Sequence, residues 1–180
     1  MKKRLLFILL LLFLNACSQS DETNENKPTQ VDPSVRMPEN MPDDFDFSIQ
    51  FGVGKNNEIN TFEGTVTKDL IADGTATAEV TLTEEEMKAI YGKMKEINIV
   101  ETKEFIPEPV NETMCNIEPH EDDKWEIIIN GETITHSVSG AYCEPTDDTE
   151  QLIGLRNYVF SIIRGKEAYK ELPESSGGYE

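Results

Sequence analysis

Residues 73–97, DGTATAEVTLTEEEMKAIYGKMKEI, hold a turn, a strand and a helix in one run. Asp73-Gly74 is a favoured hairpin pair, because both central positions of a type I′ turn need φ > 0. Thr75 to Leu82 then alternates. Ala76, Ala78, Val80 and Leu82 share one face, and Thr75, Thr77, Glu79 and Thr81 share the other, the pattern of a half-buried strand. At Thr83 the period changes from 2 to 3.6. Thr83-Glu84-Glu85-Glu86 spells a capping box: the hydroxyl accepts from the Glu86 amide and the Glu86 carboxylate reaches back. Leu82 and Met87 suit the accompanying staple, and three glutamates stand at the positive end of the helix dipole. Met87, Ile90, Tyr91, Met94 and Ile97 follow as an apolar stripe, which predicts a helix over about 84–97 packed on a sheet.

Upstream, Phe45, Phe47, Ile49 and Phe51 alternate with polar residues, so this segment is another half-buried strand, ended by Gly52 and Gly54. Lys55-Asn56-Asn57 is a turn cluster. Glu58 to Leu70 is expected to return as one strand, with Gly64 at a bulge or bend.

Downstream, residues 98–123 show no period and are broken by Pro107, Pro109 and Pro119. So long a connection inside a small domain is usually functional or tied down. Trp125 to Val138 is the clearest hairpin, turning at Asn130-Gly131. A two-residue turn pairs Ile127 with Ile134 and Trp125 with His136. A second helix begins at Thr146-Asp147-Asp148. Its stripe is Leu152, Leu155, Val159, Ile162 and Ile163, Lys166 and Lys170 lie toward its negative end, and Pro173 stops it. The order β-β-β-α-loop-β-β-α predicts an α+β fold, an antiparallel sheet of about five strands with two helices on one face.

The chain opens differently. Met1-Lys2-Lys3-Arg4 is a basic n-region, and Leu5 to Leu14 is unbroken apolar sequence. About ten such residues suit a signal-peptide core and are too few for a membrane-spanning helix. The run ends at Leu14-Asn15-Ala16-Cys17, which resembles the lipobox of bacterial lipoproteins. Asn15 departs from the usual Ala, Ser or Thr. The resemblance implies that residues 1–16 are removed as a signal peptide and that Cys17 receives a diacylglyceryl group and anchors the mature chain. Two acyl chains hold a protein far more firmly than one, at about 0.8 kcal/mol per buried CH2. The competing reading is an ordinary secretory signal with an incidental cysteine. Ser18 onward is polar and aperiodic, so residues 17–40 are expected to be a lipidated cysteine and a disordered tether, of reach on the order of 25 Å. A single domain is expected over 41–173, followed by a loose tail over 174–180.

Composition narrows the partners. The 180 residues carry a formal charge of −19, and loss of Lys2, Lys3 and Arg4 with the signal makes it −22. So acidic a chain is a poor ligand for nucleic acid, whose phosphates need basic contacts. The charge suits a cation or a basic partner; the plainer reading is solubility. Of three cysteines, lipidation of Cys17 leaves Cys115 and Cys143 as a pair. An exported chain permits a disulfide between them, closing about 28 residues for roughly 3–4 kcal/mol. Free thiols, or a redox or metal pair, are the alternatives.

Met41-Pro42-Asp43-Asp44-Phe45-Asp46-Phe47 and Lys68-Asp69-Leu70-Ile71-Ala72-Asp73-Gly74-Thr75 resemble stretches in small uncharacterised lipoproteins of Bacillus-type bacteria. The similarity runs on through Ile129-Asn130-Gly131. It implies the anchor and the cell-membrane location, on the extracytoplasmic face, and implies no chemistry.

The candidate site residues are few. Glu118, His120, Glu121, Asp122 and Asp123 form an oxygen-rich cluster with one imidazole, read either as a solvated acidic loop or as a weak cation site. EF-hand and His-Glu-x-x-His spacings are absent. His136 falls on the apolar hairpin face opposite Trp125, as a packed histidine or a base. Ser137 and Ser139 lie beside it, without a Gly-x-Ser-x-Gly elbow. No cofactor is implied. The sequence therefore leads to a non-catalytic, lipid-anchored extracytoplasmic module that binds an envelope protein or peptide. Its expected contact surfaces are the loop 98–123 and the exposed strand edges. The alternative is a small-ligand or cation-binding lipoprotein, and a hydrolase ranks last.

Overall fold

The structure, a computed structural model, describes residues 36–109 and 113–179. The signal segment, Cys17 and the tether through residue 35 lie outside the described residues. The strands are β1 (Asp46–Gly52), β2 (Asn57–Asn60), β3 (Thr65–Ile71), β4 (Gly74–Glu79), β5 (Asp122–Ile129) and β6 (Glu132–Ser139). The helices are α1 (Glu84–Glu96), α2 (Asp147–Gly165) and the short α3 (Glu167–Lys170). The strands make one antiparallel sheet in the order β4-β3-β2-β1-β5-β6. The fold is α+β, with the helices packed on one face of the sheet.

The expected alternations hold. Phe45, Phe47, Ile49 and Phe51 are all buried, as are Trp125, Ile127 and Ile129. They meet Ile90, Tyr91 and Met94 of α1 and Leu152, Leu155, Val159 and Ile163 of α2 in a single core. The Thr83 capping box forms as spelled. In the last hairpin Trp125 faces His136 and Ile127 faces Ile134, the register that a two-residue turn requires. Asp44 fixes that turn, accepting from the amides of Asn130 at 3.0 Å and Gly131 at 2.6 Å.

Four features of the sheet and of the ends of the domain differ from expectation. The single strand over 58–70 is two strands, which brings the sheet to six. Thr61 accepts from the Phe47 amide and donates to the Phe47 carbonyl, both at 2.8 Å, and the Asn60 carboxamide accepts from Glu63. These bonds turn the chain, and Gly64 at φ 64 completes the reversal. The second difference is at Asp73-Gly74. Of the expected pair Gly74 has positive φ, and the other such residue here is Ile71, at φ 62, because the β3–β4 register shifts between Asp69 and Ile71. Third, residues 174–179 are docked and not a loose tail. Ser176 forms a parallel bridge with Ile71, its amide donates to the Leu70 carbonyl and its carbonyl accepts from Ala72. Ser175 Oγ and Tyr179 reach Asp69. Fourth, the domain begins before residue 41. Met37 is buried, and the Tyr91 hydroxyl donates to the Pro38 carbonyl at 2.8 Å.

α2 ends at Gly165, earlier than Pro173 suggested, and Lys166 Nζ reaches Glu86 Oε2 at 2.5 Å. One carboxylate thus caps α1 and holds the end of α2. The first part of the long connection is tied down: Ile99 is fully buried, Lys103 pairs with Asp148 at 3.2 Å, and Thr146 donates to the Glu104 carbonyl. Among the described residues no helix is long and apolar enough to cross a membrane.

Candidate functional site

The β5–β6 ladder continues past its last paired residues. Gly140 donates to the Glu121 carbonyl at 2.8 Å, Ile117 to Ala141 at 2.7 Å, and Cys143 to Cys115 at 3.1 Å. Cys115 and Cys143 stand at disulfide distance, with Cα atoms 5.4 Å apart. The arm 115–121 is thereby laid along 139–143. A Cβ on Gly140 would come within 2.5 Å of the Glu121 carbonyl oxygen, so this close approach needs glycine.

Between that arm and α2 lies a cleft of about 290 Å³. Its walls are aliphatic (Ile117, Pro119, Val138, Ile153) and its polar groups are His120, Glu121, Asp123 and Arg156. Asp123 belongs to the inward face of β5, two residues before Trp125, and is 3% exposed. Arg156 lies on the inward stripe of α2, four residues after Leu152, and is 8% exposed. Its guanidinium stands over the Phe51 ring at 5.3 Å, donates to Glu121 Oε2 at 2.7 Å, and lies 3.4 Å from Asp123 Oδ2. The last contact is an ion pair without a hydrogen bond: Asp123 Oδ2 and Arg156 Nε are both buried without a hydrogen-bond partner. Burial raises the Asp123 carboxyl from 3.8 to about 6, against the pull of Arg156 and with the help of Glu121 and Asp122.

The predicted acidic cluster is divided. His120 lies 3.2 Å from Glu118 and 3.5 Å from Asp122, and Asp122 also meets Lys55 at 3.5 Å. Glu121 and Asp123 turn to Arg156 instead. Glu118, His120, Asp122 and Asp123 therefore do not converge as a ligand set, and no group of three or more metal-binding side chains does so among the described residues. The cationic partners are Lys55 and Arg156, supplied by the chain itself.

His136 is a packed residue. Its Nε2 is 2.6 Å from the Ile99 carbonyl, which makes that nitrogen the protonated donor, and its ring meets Phe105 edge-on at 5.7 Å. Burial lowers its pKa. Ser137 is exposed, and Ser139 Oγ accepts from the Ala141 amide. On the uncovered face of the sheet, Ser48, Gln50, Asn60, Phe62, Lys124 and Glu126 line a polar depression of about 230 Å³.

Sequence reading missed Arg156 and treated Asp123 as part of a solvated loop. The signals were present. The spacing 152, 156, 159, 163 puts Arg156 on the buried stripe, and the alternation 123, 125, 127, 129 puts Asp123 on the buried face. No family model matches the chain, and no curated protein matches it.

Proposed function

We propose that this chain is a lipid-anchored extracytoplasmic binding module, held through Cys17, that takes part of a partner protein or peptide into the Arg156 cleft. The observation that carries this reading is the Asp123–Arg156 pair. Both residues are more than nine-tenths buried, and both keep a polar atom without a hydrogen bond at the wall of a cleft. A buried ion pair with incomplete hydrogen bonding is costly, and apolar residues would close the end of the core more cheaply. Such a site suits recognition: aliphatic walls with a few convergent polar groups. The anchor rests on the basic n-region, the short apolar run and the lipobox-like Leu14–Cys17. The module is read as non-catalytic, since His136 serves a backbone carbonyl.

Cross-linking on living cells, coupled to fractionation and intact mass, tests both parts. The native chain should sediment with membranes at the mass of a diacylated chain starting at Cys17. Cys17→Ser should leave it unprocessed or released, and unchanged processing and sedimentation would contradict the anchor. Ile153→Trp fills the cleft. It should abolish the recurrent cross-link while leaving sedimentation intact, and an undiminished cross-link would contradict the cleft.

A further inference from the structure

We infer that the ligand group entering the Arg156 cleft is an aliphatic ammonium, the side chain of a lysine or a similar primary amine. The inference rests on the cleft being the binding site and adds the chemistry of what enters it.

Charge sets the sign. One guanidinium, Arg156, faces two carboxylates, Glu121 and Asp123. Asp122 and Glu118 stand at the rim around His120, and only Lys55, paired to Asp122, offsets them among the charged contacts described. The cleft therefore keeps a surplus of negative charge, within a chain of net −19. An entering anion would have to displace Glu121 from the guanidinium and would meet the Asp123 carboxylate beside it.

Shape and hydrogen bonding narrow the cation. Ile117, Pro119, Val138 and Ile153 offer methylene-compatible walls, which a hydrated metal ion does not need and an alkyl stem does. An ammonium brings three donors and no acceptor. Glu121, 56% exposed at its side chain, is the outer acceptor. Asp123 lines the cleft behind it, 3% exposed, with Oδ2 ion-paired to Arg156 at 3.4 Å without a hydrogen bond, and supplies the inner negative charge. Donation from an ammonium to Glu121 makes a charge-assisted bond, and the Asp123 charge behind it strengthens the attraction. The geometry also gives the site a pH dependence. Asp123 faces Arg156 from α2 and Glu121 and Asp122 from its own side, and its charge attracts the cation only when it is ionised, so binding should strengthen as pH rises through about 6.

The test is calorimetric titration of the full chain in a neutral detergent, at low salt and pH 7.5. The probes are Nα-acetyl-lysine amide, its Nε-acetylated counterpart and Nα-acetyl-glutamate amide. The lysine probe should bind saturably. Nε-acetylation should weaken it about tenfold or more, the worth of one charge-assisted hydrogen bond. Asp123→Asn and Glu121→Gln should each weaken it severalfold, whereas Glu85→Gln, a distant surface acid on α1, should not. Glu121→Gln changes an exposed side chain and keeps the test sound if Asp123→Asn folds poorly. Equal loss in Glu85→Gln would show a diffuse charge effect and overturn the inference. Saturable binding of the glutamate probe in place of the lysine probe would overturn the ligand class while leaving the cleft as a binding site. Binding of none of the three would overturn both.

Discussion

Asp123 and His136 are buried titratable groups on the inward face of neighbouring strands, and they pull stability in opposite directions with pH. The Asp123 carboxyl is raised in the folded chain from 3.8 to about 6. Between those values the folded state holds a proton that the unfolded state has lost. Its contribution is therefore full below pH 3.8 and is lost as pH rises through 6, by roughly 3 kcal/mol at most. The His136 imidazole is lowered by burial, so its contribution is present above pH 6.5 and is lost as pH falls. Urea unfolding at pH 5 and 7 separates them. Relative to Asp123→Asn, the native chain should gain stability on going from pH 7 to 5. Relative to His136→Gln, which keeps a donor for the Ile99 carbonyl, it should lose stability over the same interval. Parallel slopes would contradict the assigned burial. At this scale the sequence was legible wherever periodicity ran unbroken. Arg156 and Asp123 were missed because a charge on an apolar stripe looks like the end of the stripe, and only the partner strand or helix reveals that it is covered.

Among the elements, α1 was the most legible, since its cap, its stripe and its charges all agree. Thr83→Ala removes the hydroxyl that accepts the Glu86 amide and should cost about 1 kcal/mol, read as a shift in the urea midpoint at unchanged slope. The arm 115–121 was legible only in its cysteines. Gly140→Ala drives a Cβ against the Glu121 carbonyl and should cost about 1–3 kcal/mol while disordering the cleft. Loss of the cross-link in Cys115→Ser, whose partner lies 28 positions away, should cost roughly 3–4 kcal/mol in the chain-entropy model, and a reductant should then have no further effect. The split of 58–70 into two strands was hidden because Thr61 and Asn60 act through bonds to Phe47 and Glu63, partners that no local pattern announces. The Ile71 turn was hidden for the same reason. A β-branched residue at φ 62 is strained and is held from outside, by Ser176. Truncation after Pro173 should lower the melting temperature by several degrees, and Ile71→Gly should recover part of the loss. An unchanged melting temperature would contradict the docked tail.

For the whole molecule, the α+β plan was readable because turns and caps punctuate the strands and helices clearly. The sheet order was not readable, since it depends on β1 pairing with β5 at residues 70 or more positions apart. That pairing places Asp123 beside Phe51 in register, and α2 brings Arg156 across both. The result is a one-sided sheet whose core ends in a charged cleft at the corner tied by Cys115 and Cys143, while the opposite sheet face carries a separate polar depression. The central claim is that the cleft, and not the open face, receives the ligand. Amide chemical shifts, followed as Nα-acetyl-lysine amide is added, test it most directly. The account predicts saturable shifts grouped at residues 117–123, 138–143 and 153–156. Shifts confined to Ser48, Asn60, Lys124 and Glu126, or no saturable shift anywhere, would contradict it.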